Sequence, residues 1–128
     1  MKYLLDTHAL IWWVTDSSNL SAAARQAVAS EHNDVYVSAA SAWEITTKHR
    51  LGKLAQAGPL AAEVEVRVRQ ERFIPLSITM AHAEAAGRLR DPHKDPFDRM
   101  LIAQALLENL TLVSNETVFD RFGVTRLW

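Results

Sequence analysis

Two carboxylates one helical turn apart are the first residues of this chain able to do chemistry: Asp95 and Asp98, in the stretch KDPFDRMLIAQAL over residues 94–106. Asp95 is of the type that caps a helix, Pro96 follows at the first helical position, and Asp98 stands three residues after the cap, a strong start signal. From Phe97 to Leu107 only Asp98, Arg99 and Gln104 are not apolar. The helix must therefore be covered on most sides, with its acids at the rim of a rigid core. Both acids could serve the backbone alone, one as a cap and the other at the positive end of the helix dipole. Three further acids tip the balance toward chemistry, because Asp6, Glu44 and Glu116 each follow a strand-like run or lie on the helix after one.

The elements that must position these acids alternate along the chain. KYLLD (residues 2–6) is an apolar run too unbroken for a half-exposed strand, and it leads into the helical segment THALIWWV. A second helix lies within residues 17–30, with Ser21 as its cap, and VYVS (35–38) is the second strand. Ser38 caps a helix from Ala39 to about Leu51, which Gly52 stops. Glu44 lies near its middle, either paired with Lys48 four residues on or turned inward over the strand ends toward Asp6. Residues 60–70 read as one helix, 73–78 as a third strand, and Thr79 caps a helix running to about Arg90. LTLVS (110–114) and VTRLW (124–128) are the fourth and fifth strands, separated by a short helix that begins at Glu116.

Such alternation implies an α/β fold, a parallel sheet with helices on both faces. All carboxyl ends of the strands then open onto one edge, where α/β sheets bind ligands. Asp6, Asp98, Glu116 and an inward Glu44 would meet there, and like charges that close raise one another's pKa unless a cation compensates. Magnesium or manganese is the natural compensation, since these ions take carboxylate and water oxygens and leave room for a substrate phosphate. Two such ions about 4 Å apart suit phosphodiester hydrolysis.

Composition sets the outer bounds. The 128 residues make one domain, 1–128, large enough for a proper core. Cysteine is absent, which excludes disulfides, thiolate metal sites and cysteine nucleophiles. A formal charge of -1 gives no global basic field, so a nucleic acid would need a local patch. The N-terminal apolar run is far short of the ~20 residues of a membrane span and lacks a cleavage pattern. The expectation is a cytoplasmic protein with no membrane partner.

LLDTHALIWW, SAASAWEITTKHRLGKL, DPFDRMLIAQA and LVSNETVFDRFGV, in that order and at these separations, resemble the PIN-domain ribonucleases that act as toxins in bacterial VapBC toxin–antitoxin pairs. The resemblance covers essentially the whole chain. It implies a PIN-like three-layer α/β/α sandwich around a central, mainly parallel five-stranded sheet. It implies too that Asp6, Glu44, Asp98 and Glu116 are the four acids of a metal-dependent endoribonuclease, with magnesium or manganese held by Asp6, Asp98 and Glu116. The last position is more often aspartate in the family, so the longer Glu116 would reach the metal directly or through water. Thr7 and Ser114 are candidates to orient carboxylates or water, and Asp95 adds a cap and negative potential. The implied partners are RNA, a cognate VapB-like antitoxin and a second copy of the chain. RNA would meet Lys48, Arg50, Lys53, Lys94 and Arg99, while Trp12, Trp13 and Trp43 are expected in the core or an interface.

Two other readings compete. In a metal-dependent phosphatase Asp6 would be a covalent nucleophile, but the aspartate usual two residues later is His8 here. A catalytically weak module that only binds RNA or protein would not need an acid at all four positions.

Overall fold

The computed structural model describes all 128 residues. Five strands, β1 (Lys2–Leu5), β2 (Asp34–Ser38), β3 (Ile74–Leu76), β4 (Thr111–Val113) and β5 (Arg126–Leu127), form one sheet in the order β3-β2-β1-β4-β5. All four neighbouring pairs are parallel. The chain moves outward on one side of β1 through β2 and β3, then crosses to the other side for β4 and β5. The order reverses between β1 and β4, the topological switch point at which such sheets leave a crevice beyond the strand ends.

Seven helices connect the strands: α1 (Thr7–Val14), α2 (Ala22–Ala29), α3 (Ala39–Arg50), α4 (Gly58–Ala62), α5 (Val64–Gln70), α6 (Met80–Arg88) and α7 (Pro96–Leu107). Their starts follow local chemistry. Ser21, Ser38, Thr79 and Asp95 each accept a backbone N–H through the side chain, satisfying donors that a helix end otherwise orphans. Gly52, just past the end of α3, has φ 77, a left-handed conformation that suits glycine. Asn109 takes the same role after α7 with φ 55.

Residues 60–70 are not the single helix their composition predicts. Pro59 starts α4 early, at Gly58, and the chain breaks at Glu63 (φ −149, ψ 55) before α5 resumes. The alternating valines beyond the break are β-branched and weak helix formers, so little local propensity resists the interruption. Leu60, Val64 and Val68 are nonetheless all buried. The segment after Glu116 likewise winds as a 3-10 helix, Thr117–Phe122, closed by Gly123 at φ 78.

Strand alternation sorts the core into two layers. Tyr3, Leu5, Val35, Val37 and Val113 face a large cluster with residues of α1 to α5. Leu4 and Leu112 face the opposite side, against Leu101, Ile102 and Ala105 of α7 and Phe119. The sheet is thus covered on both faces, and the near-continuous apolar runs of β1 and β4 are the consequence. No helix is long and apolar enough to cross a membrane.

Candidate active site

The central strand delivers Asp6 to the switch point. Its backbone N–H donates to Val113 O of β4 at 3.1 Å, and its Oδ1 accepts the Ala9 N–H at 2.7 Å, capping α1. The residue is only 4 % exposed. Burial pushes its carboxyl up from 3.8 to about 6; the Ser114 hydroxyl and the Ala9 amide oppose the rise, and the Glu116 charge adds to it. Ser114, fully buried at the end of β4, also accepts the Glu116 N–H at 3.0 Å. It therefore links the first acid to the fourth.

Asp98 occupies the first turn of α7, whose cap Asp95 accepts the N–H groups of Phe97 (2.9 Å) and Asp98 (3.1 Å). Asp98 is also held up at about 6, chiefly by burial, with the charges of Asp95, Glu116 and Glu44 acting in the same direction. A hydrogen bond from His93 opposes them. Glu116, at the start of the 3-10 helix, caps nothing with its carboxylate, yet its charge acts on both Asp6 and Asp98. The separate chain positions 6, 98 and 116 thus share one electrostatic neighbourhood.

Glu44 satisfies both sequence alternatives at once. It is buried, it pairs with Lys48 four residues on, and it accepts the Thr7 hydroxyl at 2.5 Å. Thr7 also lies 3.1 Å from the Ser41 hydroxyl, so α1 and α3 are joined by a buried polar chain beside Asp6. Burial pulls the Lys48 ammonium down, but its hydrogen bond to Glu44 and the charges of Glu44, Asp95 and Asp98 outweigh it and the net direction is up. Glu44 is thereby paired with a cation of the chain itself. Asp6, Asp98 and Glu116 are the carboxylates left to face a cation. No three His, Asp or Glu side chains converge closely enough to hold an ion unaided, so water or substrate oxygens would have to complete its shell.

The basic residues divide. Arg50, Lys53 and Lys94 are exposed, whereas Lys48 is committed to Glu44. Arg99, expected among the RNA-binding groups, instead donates to four backbone carbonyls: Ala86 (3.1 Å), Leu89 (2.6 Å), Asp91 (2.9 Å) and His93 (3.1 Å). Its fork geometry suits that clamp, which occupies four of its five N–H groups and leaves only one Nη2 hydrogen for a phosphate.

Trp12 and Trp13 pack against the large core cluster as expected. Trp43 is outside the core, 61 % exposed and edge-on to Phe97 with centroids 4.9 Å apart, which leaves the interface alternative for it. Sequence reasoning missed Ser41 and His93. Ser41 carried no signal beyond a serine in the first turn of α3. His93 lay in plain view two residues before Asp95.

Residues 3–124 match the PIN domain family. Ribonuclease VapC22 of Mycobacterium tuberculosis is 29% identical over 114 residues, covering 88% of this chain and 85% of that protein. Ribonuclease VapC16 of the same organism is 45% identical over 58 residues, a match spanning 45% of this chain and 41% of that relative's length. Among solved structures, VapBC2 from Rickettsia felis bound to a promoter DNA fragment superposes with a TM-score of 0.71 at 16% identity, covering 99% of this chain and 98% of the other. With a family match over nearly its whole length, the chain belongs to the PIN domain family.

Proposed function

We propose that this protein is a metal-dependent endoribonuclease, the toxin of a toxin–antitoxin pair. The observation that supports the reading is that Asp6 and Asp98 are each pushed up to about 6, chiefly by burial, and that the Glu116 charge acts on both in the same direction. An arrangement that penalises its own charge is one that a cation relieves. The donors are hard carboxylate oxygens, and the ion that fits is magnesium or manganese, which binds through one or two carboxylates and keeps water for the rest. Asp6 and Asp98 would hold it, with Glu116 reaching it directly or through water. When bound, such an ion supplies a water acidic enough to attack a phosphodiester and charge to steady the leaving oxygen.

The chain's own residues do the positioning. Ala9 N–H and Ser114 orient Asp6, Thr7 and Lys48 fix the Glu44 carboxylate, and Asp95 fixes the first turn of α7. Arg50, Lys53 and Lys94 are the exposed cations available to RNA phosphates. The names of the two mycobacterial relatives, both ribonucleases, support the reaction class. The partnership of the structural neighbour supports a VapB-like protein as the regulator of the site, and a second copy of the chain is a further expected partner. A covalent phosphatase is disfavoured because His8, at the position of the needed second acid, packs on Trp12 with centroids 5.5 Å apart.

The test is incubation of the purified chain with a mixture of tRNA and mRNA fragments in magnesium, in manganese and in EDTA. Cleavage that requires metal supports the reading. Binding of RNA without cleavage in any metal would favour a binding module, and trapping of phosphate on Asp6 a phosphatase.

A further inference from the structure

His93 belongs to none of the acid positions, yet it is built into them. Its Nε2 lies 2.8 Å from Asp98 Oδ2, with side chains 21% and 16% exposed. The ring packs against Phe122, centroids 6.2 Å apart at 62°. Its backbone carbonyl is one of the four that Arg99 clamps, and Arg99 is the residue next to Asp98 on α7. Asp91 of the same loop is tied to Arg121 at 2.8 Å. The loop from Leu89 to Lys94 is thus fastened at both its backbone and its ring. Nothing in helix capping calls for this contact, because Asp95 already satisfies the first N–H groups of α7.

We propose that His93 is a positioning residue for Asp98: its Nε2–H donates to Oδ2, fixes the carboxylate rotamer and leaves Oδ1 as the oxygen presented to a cation. The inference rests on the metal-dependent reading above. A carboxylate on the first turn of a helix can swing between rotamers and offer either oxygen. A donor seated on one oxygen removes that choice, as outer-shell partners of metal ligands do. Arg99 acts one step further back, holding the loop that holds the imidazole.

The test compares wild type, His93→Ala and His93→Gln. Glutamine places an N–H close to where Nε2 stands, without an imidazole. Manganese affinity is read by electron paramagnetic resonance, RNA cleavage is read as separate kcat and KM, and folding is checked by thermal unfolding. His93→Ala should remain folded, lose about 10–100-fold in manganese affinity, and lose kcat with little change in KM. His93→Gln should recover most of both. Wild-type affinity in His93→Ala would overturn the inference, as would His93→Gln being as impaired as His93→Ala. Spin-echo coupling of bound manganese to an imidazole nitrogen would also overturn it, by making His93 a ligand. Failure of the wild type itself to bind manganese would instead remove the metal-dependent reading on which the inference rests.

Discussion

Replacing Asp6 with asparagine should make the metal-free protein more stable at neutral pH, although it removes the acid at the centre of the site. A carboxyl held at about 6 in the fold and at 3.8 when free costs the folded state about 3 kcal/mol once it is ionised in both states. The sign follows from proton binding. Between these two values the folded form binds more protons than the unfolded chain, so stability falls as pH rises from 4 through 6 and then levels. Asparagine keeps an Oδ1 to accept the Ala9 N–H at the cap, where it is as good as aspartate. The charge penalty is therefore what the substitution changes. The expected gain is about 2–3 kcal/mol at pH 8, shrinking toward nothing at pH 4. Urea unfolding in EDTA across that pH range measures it. Manganese at about 100-fold above its Kd should add roughly 2.7 kcal/mol to the wild type and much less to Asp6→Asn. A variant no more stable than wild type at pH 8, or one whose difference does not vary with pH, would refute the reasoning.

Other perturbations separate structural from chemical roles. Lys48→Met leaves Glu44 buried and unpaired, and should cost about 3–5 kcal/mol; adding Glu44→Gln should restore much of that loss, a coupling that a double-mutant cycle reads directly. Arg99→Lys cannot serve four carbonyls and should loosen residues 89–93, seen as faster amide exchange there while exchange in β1 and β4 is unchanged. Replacing Arg50, Lys53 and Lys94 together by glutamine should weaken RNA binding at low salt and flatten its dependence on salt concentration, with the metal site intact.

Much of this fold was legible in local chemistry. Ser21, Ser38, Thr79 and Asp95 mark four helix starts, Gly52 and Asn109 two ends, and the apolar runs at β1 and β4 report strands covered on both faces. Alternation of elements then directs Asp6, Asp98 and Glu116, and Glu44 if inward, toward one edge. What local pattern could not supply was the direction of individual side chains. Glu44 reads as either an ion-pair partner or an inward acid, and it is both, because one carboxylate oxygen takes Lys48 while the other accepts the buried Thr7 hydroxyl. Arg99 resembles any exposed cation until the four carbonyls around it are known, three of them before Pro92 and one, that of His93, between Pro92 and Pro96. Trp43 is exposed although Glu44 and Ile45, the next two residues, are buried, since a helix turns each successive residue by a large angle. His93 and Ser41 act through partners chosen by tertiary packing. The break at Glu63 follows weak propensity that only a completed fold resolves.

The most direct measurement is the single-turnover rate of RNA cleavage in manganese by wild type and Asp98→Asn, purified identically and free of any partner. Asp98→Asn keeps the side chain's shape at the first turn of α7 and removes one of the charges that a cation would meet. The account predicts metal-dependent cutting by the wild type and its loss in a variant that unfolds no more easily in EDTA. Equal cutting by both proteins, or an Asp98→Asn that fails to fold, would contradict it: the first would place the activity elsewhere, and the second would make Asp98 a structural residue.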